Sequence, residues 1–232
     1  MSFFSVNWMV SIEKYHGMRW VSSSSETLEF DGAISPELYL NFAKRDFSES
    51  DGLRSLANAI SNAKRSLHLQ SELLSDALGI KSITPRGQIS FPKRIGFLRD
   101  CGVVGGTILN KLNSIRNTVE HDYIVPDAIV VQDFIDVVEL FVAASERLIR
   151  SFPSMADIKY EYCLDDAPAV DVLLFPPGEG QIYLCSHQTD KAVREELRSM
   201  EVDEWQKKYS IKFTPKNQEY YGWVKWLIKA HI

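Results

Sequence analysis

The chain has 232 residues, 45% of them hydrophobic and 25% charged, and a net charge of −5 from 26 basic and 31 acidic side chains. That length holds one large domain or two small ones, with core enough to need no disulfide or metal staple. The composition excludes a generally basic nucleic-acid coat, a collagen-like fibre and bulk disorder, and no run approaches the ~20 apolar residues of a membrane span.

The first residues, Met1 to Trp8, have neither the basic start nor the long apolar stretch of a signal peptide, so the expectation is a cytoplasmic protein without a membrane partner. Residues 1–35 read as irregular or strand-like. Tyr15–Val21 and Thr27–Phe30 suit short paired strands, the serine run Ser22 to Ser25 reads as a loop, and Asp31-Gly32 as a turn.

Residues 36–150 read as helices. Pro36 stands at a favourable first helical position, leading a helix to about Asp46. Ser50 or Asp51 can cap the next. Its apolar positions, Leu53, Leu56, Ala57, Ile60, Ala63, Leu67, Leu74 and Leu78, mostly step by three or four, and Gly79 stands where a stop belongs. Ser82–Phe91 reads as a loop. Pro92 starts a short helix to Gly102, and Gly105-Gly106 turns the chain into a helix over 104–121 whose stripe is Ile108, Leu112, Ile115 and Val119.

The last helix of this part runs from near Pro126 to Arg150. It carries two adjacent stripes, one through Val130, Phe134, Val137, Phe141, Ala144 and Leu148, the other through Val131, Ile135, Val138, Val142 and Ile149. Burial over so wide an arc suits a bundle core or a subunit interface.

Residues 151–232 change character. Ile158–Leu164, Val170–Phe175 and Gln181–Ser186 read as strands, with a strong turn at Pro176 to Gly180. Ala192–Met200 suits a helix and Tyr209–Phe213 a strand. Gln218–Ile232 reads as a helix whose aromatic residues Tyr220, Tyr221, Trp223 and Trp226 close a core. The best domain break falls near Ser151–Ser154. Cys101, Cys163 and Cys185 are too scattered for a C-x-x-C pair or a disulfide framework and read as apolar fillers.

Charge is unevenly placed. From Arg54 to Arg116 there are ten basic residues against the acids Glu72, Asp76 and Asp100, a local balance of +7. Such a field attracts a phosphate backbone, and Lys93, Arg94 and Lys111 are candidate RNA contacts on charge alone. The five histidines show no ligand spacing with cysteines or acids, so no metal or other cofactor is expected.

The informative run is Leu112–Tyr123, which gathers Arg116, Asn117, Glu120, His121 and Tyr123 at the end of an amphipathic helix. Asn117 and His121 lie one turn apart on one face, and Arg116 and Glu120 share the neighbouring one. An ideal helix leaves Arg116 and His121 ~140° apart. They converge only where the helix loosens or where two copies meet. An arginine fork fits phosphate oxygens, a histidine moves protons near neutrality, and an asparagine orients either group. This set suits metal-free RNA cleavage, in which a ribose 2′-hydroxyl attacks the adjacent phosphate.

The Arg-Asn-x-x-x-His core at 116–121 resembles the signature of HEPN domains, over about residues 36–150. The resemblance implies a four- or five-helix bundle. It also implies a homodimeric endoribonuclease with catalytic Arg116, Asn117 and His121, a toxin or antiviral effector. Tyr123 matches an R-x4-H-x-Y variant found in toxins whose partner antitoxin adenylylates this tyrosine, and Glu120 stands as a supporting residue. The expected whole is an α+β chain: a strand-like 1–35, a HEPN-like helical bundle over 36–150 and a small β-rich module over 151–232. The alternative expectation is a non-catalytic HEPN-like dimer that recognises nucleotide, RNA or a protein partner.

Overall fold

The computed structural model describes residues 11–30, 32–49, 52–84, 89–103, 127–164, 170–185 and 210–231. It is an α+β chain whose two compact units interleave along the sequence. The helical unit takes residues 27–77 and 86–150, and the sheet unit takes residues 1–26, 78–85 and 151–232.

In the helical unit, α1 is Pro36–Ser48. The Ser35 hydroxyl accepts from the Leu38 N–H at 3.3 Å, with Pro36 in the first turn where its missing donor costs nothing. The long α2 is Gly52–Ala77; the residues expected to cap it, Ser50 and Asp51, lie outside the described ones. Helix α4 is Phe91–Asp100 and α5 is Ala128–Arg150, with the Asp127 carboxylate accepting from the Val130 N–H at 2.9 Å. Helix α2 packs against α1, α4 and α5.

Both stripes of α5 are buried by this chain itself: Val131, Phe134, Ile135, Val138, Phe141 and Val142 are all at most 4% exposed. A core is thus what the double stripe serves, and Ala144 is its exposed exception. At the end of α5 the Leu28 N–H and the Thr27 hydroxyl donate to the carbonyls of Ile149 and Arg150, at 2.8 and 3.0 Å. Two carbonyls that the helix leaves without partners are so satisfied.

In the sheet unit, β1 is Tyr15–His16 and β2 Arg19–Glu26. The following strands are β3 (Phe152–Lys159), β4 (Tyr162–Cys163), β5 (Val172–Leu174), β6 (Ile182–Cys185) and β7 (Ile211–Phe213). Among the described residues, β2-β3-β5-β6-β7 form an antiparallel sheet in that order, and β1 pairs with β4. The serine run is strand, not loop: Ser22 stands opposite Asp157 and Ser23 opposite Ala156. An edge strand with both side-chain faces in water needs backbone pairing rather than an apolar pattern. Thr27–Phe30 forms no strand, and the expected run Ile158–Leu164 breaks at Tyr160–Glu161 into β3 and β4.

Helix α6, Gln218–His231, packs on β3 and buries Tyr220, Trp223 and Leu227 completely. The rings of Phe152, Phe175 and Tyr220 form a chain with centroid spacings of 5.2 and 6.0 Å, and Tyr15 meets Trp223 edge-on at 5.6 Å. The expected loop at 82–91 begins later than predicted, because Ile80–Ile83 form the short helix α3. Gly79 before it has φ +86° and lies so close to Gly180 that a Cβ would stand 2.0 Å from the Gly180 Cα. Glycine is required there on both counts. Ala192–Met200 and Gly105-Gly106 lie outside the described residues. Among those described, no helix is long and apolar enough to cross a membrane.

Candidate functional site

The Arg-Asn-x-x-x-His run lies between α4 and α5 in sequence, and Lys111, Arg116, Asn117, Glu120, His121 and Tyr123 all lie outside the described residues. Lys93 and Arg94, the other two candidate RNA contacts, open α4 and diverge. Lys93 is exposed. Arg94 is 4% exposed, and its guanidinium donates to Asp76 and Ser75 at 2.6 Å each and to Glu72 at 2.9 Å.

This corrects the expectation for Arg94. Phe91, Arg94, Ile95, Leu98 and Cys101 form one buried stripe, and a guanidinium inside it needs acids at once. Glu72 and Asp76, one turn apart on α2, supply them. Two of the three acids in the basic stretch are therefore paired to one buried arginine. Arg99 pairs with the third, Asp100, at 3.1 Å. Arg65 and Lys93 stay exposed with no carboxylate at ion-pair distance among the described residues.

Arg65 faces a groove of about 400 Å³ on the helical unit. Tyr39 of α1, Lys64, Arg65, Leu67 and His68 of α2, and Phe91 of α4 line it. The Arg65 guanidinium lies 5.7 Å from the Tyr39 ring centroid and donates to the Asn62 side-chain amide oxygen, Oδ1, at 3.2 Å. Asn62 is held in turn by Asp46, to which its amide donates at 2.7 Å. His68 stacks on Phe91, with ring centroids 6.3 Å apart and planes inclined by 26°. Lys64 and Arg65 counted only among the ten cations of the basic stretch, and His68 only among the five histidines without ligand spacing. The missed signal is the spacing: positions 64, 65 and 68 are helix neighbours at steps of three and four.

The sheet unit has an open cleft of about 640 Å³ lined by Arg19, Asp157, Lys159, Tyr160, Glu161 and Asp171, among others. Cations and acids alternate there, and the Asp157 carboxylate accepts from the Ser22 hydroxyl, so the cleft favours neither sign of ligand. Burial first, then the nearby Cys163, pushes the Tyr160 hydroxyl above its ordinary value. Burial likewise raises Tyr15 and pushes the Cys185 thiol up to about 12, so both stay protonated near neutrality. Among the described residues no three of His, Cys, Asp and Glu gather as metal ligands.

No family model, no curated protein and no solved structure matches this chain.

Proposed function

We propose that the chain is a metal-independent endoribonuclease of the HEPN type, a cytoplasmic toxin or antiviral effector that acts as a homodimer. The observation that carries this reading is the Arg116-Asn117-x-x-x-His121 run, set in a basic stretch and flanked in sequence by the bundle helices α2, α4 and α5. In this reading the ribose 2′-hydroxyl attacks the neighbouring phosphorus and the 5′-oxygen leaves, giving a 2′,3′-cyclic phosphate and a free 5′-hydroxyl. His121 moves the proton, Arg116 balances the charge that grows on the phosphate oxygens, and Asn117 orients the two. Two facing motifs bring Arg116 of one copy towards His121 of the other, which removes the angular conflict within a single helix. Glu120 and Tyr123 flank the pair, and an antitoxin or other regulatory protein restrains the activity.

The test compares RNA cleavage by purified wild type, Arg116→Ala and His121→Ala with EDTA present. Cleavage by wild type alone, with each variant reduced at least about a hundredfold, supports the reading. Equal activity in all three contradicts it. Silence of all three, with any partner removed, leaves the non-catalytic binding module.

A further inference from the structure

We propose that the outer face of α5 is an interface on which the α5 of a second copy of this chain docks antiparallel, about a two-fold axis at Leu140. The inference rests on this face alone and holds whether or not the Arg116–His121 motif cuts RNA.

The two buried stripes of α5 leave a third face in water. Ile129, Asp133, Asp136, Leu140, Ala143 and Arg147 follow one another at steps of four and three, and all are exposed, as is Ala144. On an ideal helix they share one arc of about 100°. That spacing is the seam along which two helices pair. Leu140 stands at its centre, 59% exposed, with only alanine one turn further on, at 143 and 144. In a helix pair a long side chain of one copy fills the space beside the small side chains of the other. Leu140 of each copy so covers Ala143 and Ala144 of its mate.

Charge fixes the occupant and its direction. The face is acidic before Leu140, at Asp133 and Asp136, and basic after it, at Arg147. The helix dipole favours acids within the first turn only, and these two lie in the second and third turns of α5. An antiparallel copy accounts for them. Asp133 stands as far before Leu140 as Arg147 stands after it, so a two-fold axis at Leu140 sets Asp133 of each copy against Arg147 of the other. A parallel copy would set Asp133 against Asp133 and Arg147 against Arg147. An unrelated partner requires no such symmetry about Leu140. Gln132 donates to Asp136 at 2.6 Å, and Arg147 has a further interaction in its own chain. Neither prevents the pairing, because a carboxylate and a guanidinium each serve several partners at once.

Sedimentation velocity of the full chain, from about 1 to 200 µM, reads the association. Wild type is expected to form dimers. Leu140→Glu sets two carboxylates together on the axis and is expected to weaken association at least about tenfold. Leu53→Glu, at the exposed start of α2, is the control and is expected to dimerise as wild type does. Charge reversal gives the register: Asp133→Arg and Arg147→Asp are each expected to stay monomeric alone and to pair when mixed, since the mixture restores both contacts. Should Leu140→Glu lose its helical circular dichroism, the mixing experiment decides by itself. The proposal fails if wild type stays monomeric throughout, if a folded Leu140→Glu dimerises as tightly as wild type, if Leu53→Glu breaks the dimer equally, or if the two charge variants do not associate when mixed. RNA cleavage measured on the same samples separates this proposal from the nuclease reading. A monomeric Leu140→Glu that still cuts RNA overturns the facing motifs and leaves the interface standing. A wild type that dimerises through α5 and cuts nothing overturns the nuclease alone.

Discussion

The two units bury different chemistry. Among the described residues every buried polar side chain except His231 belongs to the helical unit, including Gln70, Ser145 and the charged Arg94. Gln70 donates to Ser145 at 2.9 Å, and Ser145 returns to the Phe141 carbonyl at 2.7 Å. Both units bury rings, Phe134 and Phe141 in the helical one and Phe152, Phe175, Tyr220 and Trp223 in the sheet one, and the sheet unit joins glycine to glycine at Gly79 and Gly180. A helical face can admit charge because each side chain finds partners one turn away on a neighbouring helix. The sheet unit has shape to satisfy, so its weak points are steric.

The sharpest way to break that contrast is at Gly79. Gly79→Ala forces a side chain into left-handed backbone and drives its Cβ onto the Gly180 backbone. We expect a loss of about 3 kcal/mol or more, from ~1–2 of backbone strain and ~1–3 of overpacking. Gly178→Ala is the control. Its φ is +83° but its Cβ would meet nothing within 4 Å, so only the strain of ~1–2 kcal/mol applies. Equal urea midpoints for the two variants would show that the close approach does not matter.

The helical counterpart is Arg94→Met, which keeps much of the volume and leaves Glu72 and Asp76 without their cation. We expect a loss of about 3 kcal/mol, the low end for a broken buried pair. Glu72, with a side chain 42% exposed, rehydrates more easily than Asp76 at 20%. Adding Asp76→Leu should recover part of that loss. Urea unfolding of the single and double variants decides it, and a double variant worse than the single one would contradict an electrostatic cause.

The smallest effect distinguishes the units by pH. Burial raises the Cys185 thiol from 9 to about 12, so the folded sheet holds this proton more tightly than the unfolded chain does. The stability it contributes is complete below pH 9 and is lost as pH rises towards 12. Cys185→Val, close in volume, should flatten the alkaline fall of the urea midpoint across that window. An unchanged slope would assign the fall to other groups, such as Tyr15, which shifts in the same direction.

What the sequence made legible was local. Pro36 and Gly79 mark helix boundaries, and the stripe of α5 and that of α2 from Ile60 onwards state their burial, whereas Leu53 at the start of α2 is 70% exposed, because periodicity does not say which turns a neighbour covers. The serine strand β2 was hidden because an exposed edge carries no apolar alternation. The assignment of residues 78–85 to the sheet unit was hidden because the meeting of Gly79 with Gly180 is a tertiary event. Arg94 misled because counting charge ignores faces, yet its position three beyond Phe91 and four before Leu98 already put it on the apolar stripe. Of the candidate site, Arg116, Asn117 and His121 lie outside the described residues, whereas the groove at Arg65 needed α1 and α4 brought beside α2.

The most direct measurement of the proposed 2′-hydroxyl chemistry at Arg116 and His121 is the fate of one RNA sequence offered to wild type in EDTA, unmodified and as its 2′-O-methyl form. The account predicts that only the unmodified strand is cut and that its fragments end in 2′,3′-cyclic phosphate. Cleavage of both strands, or fragments that carry 5′-phosphate, would contradict it.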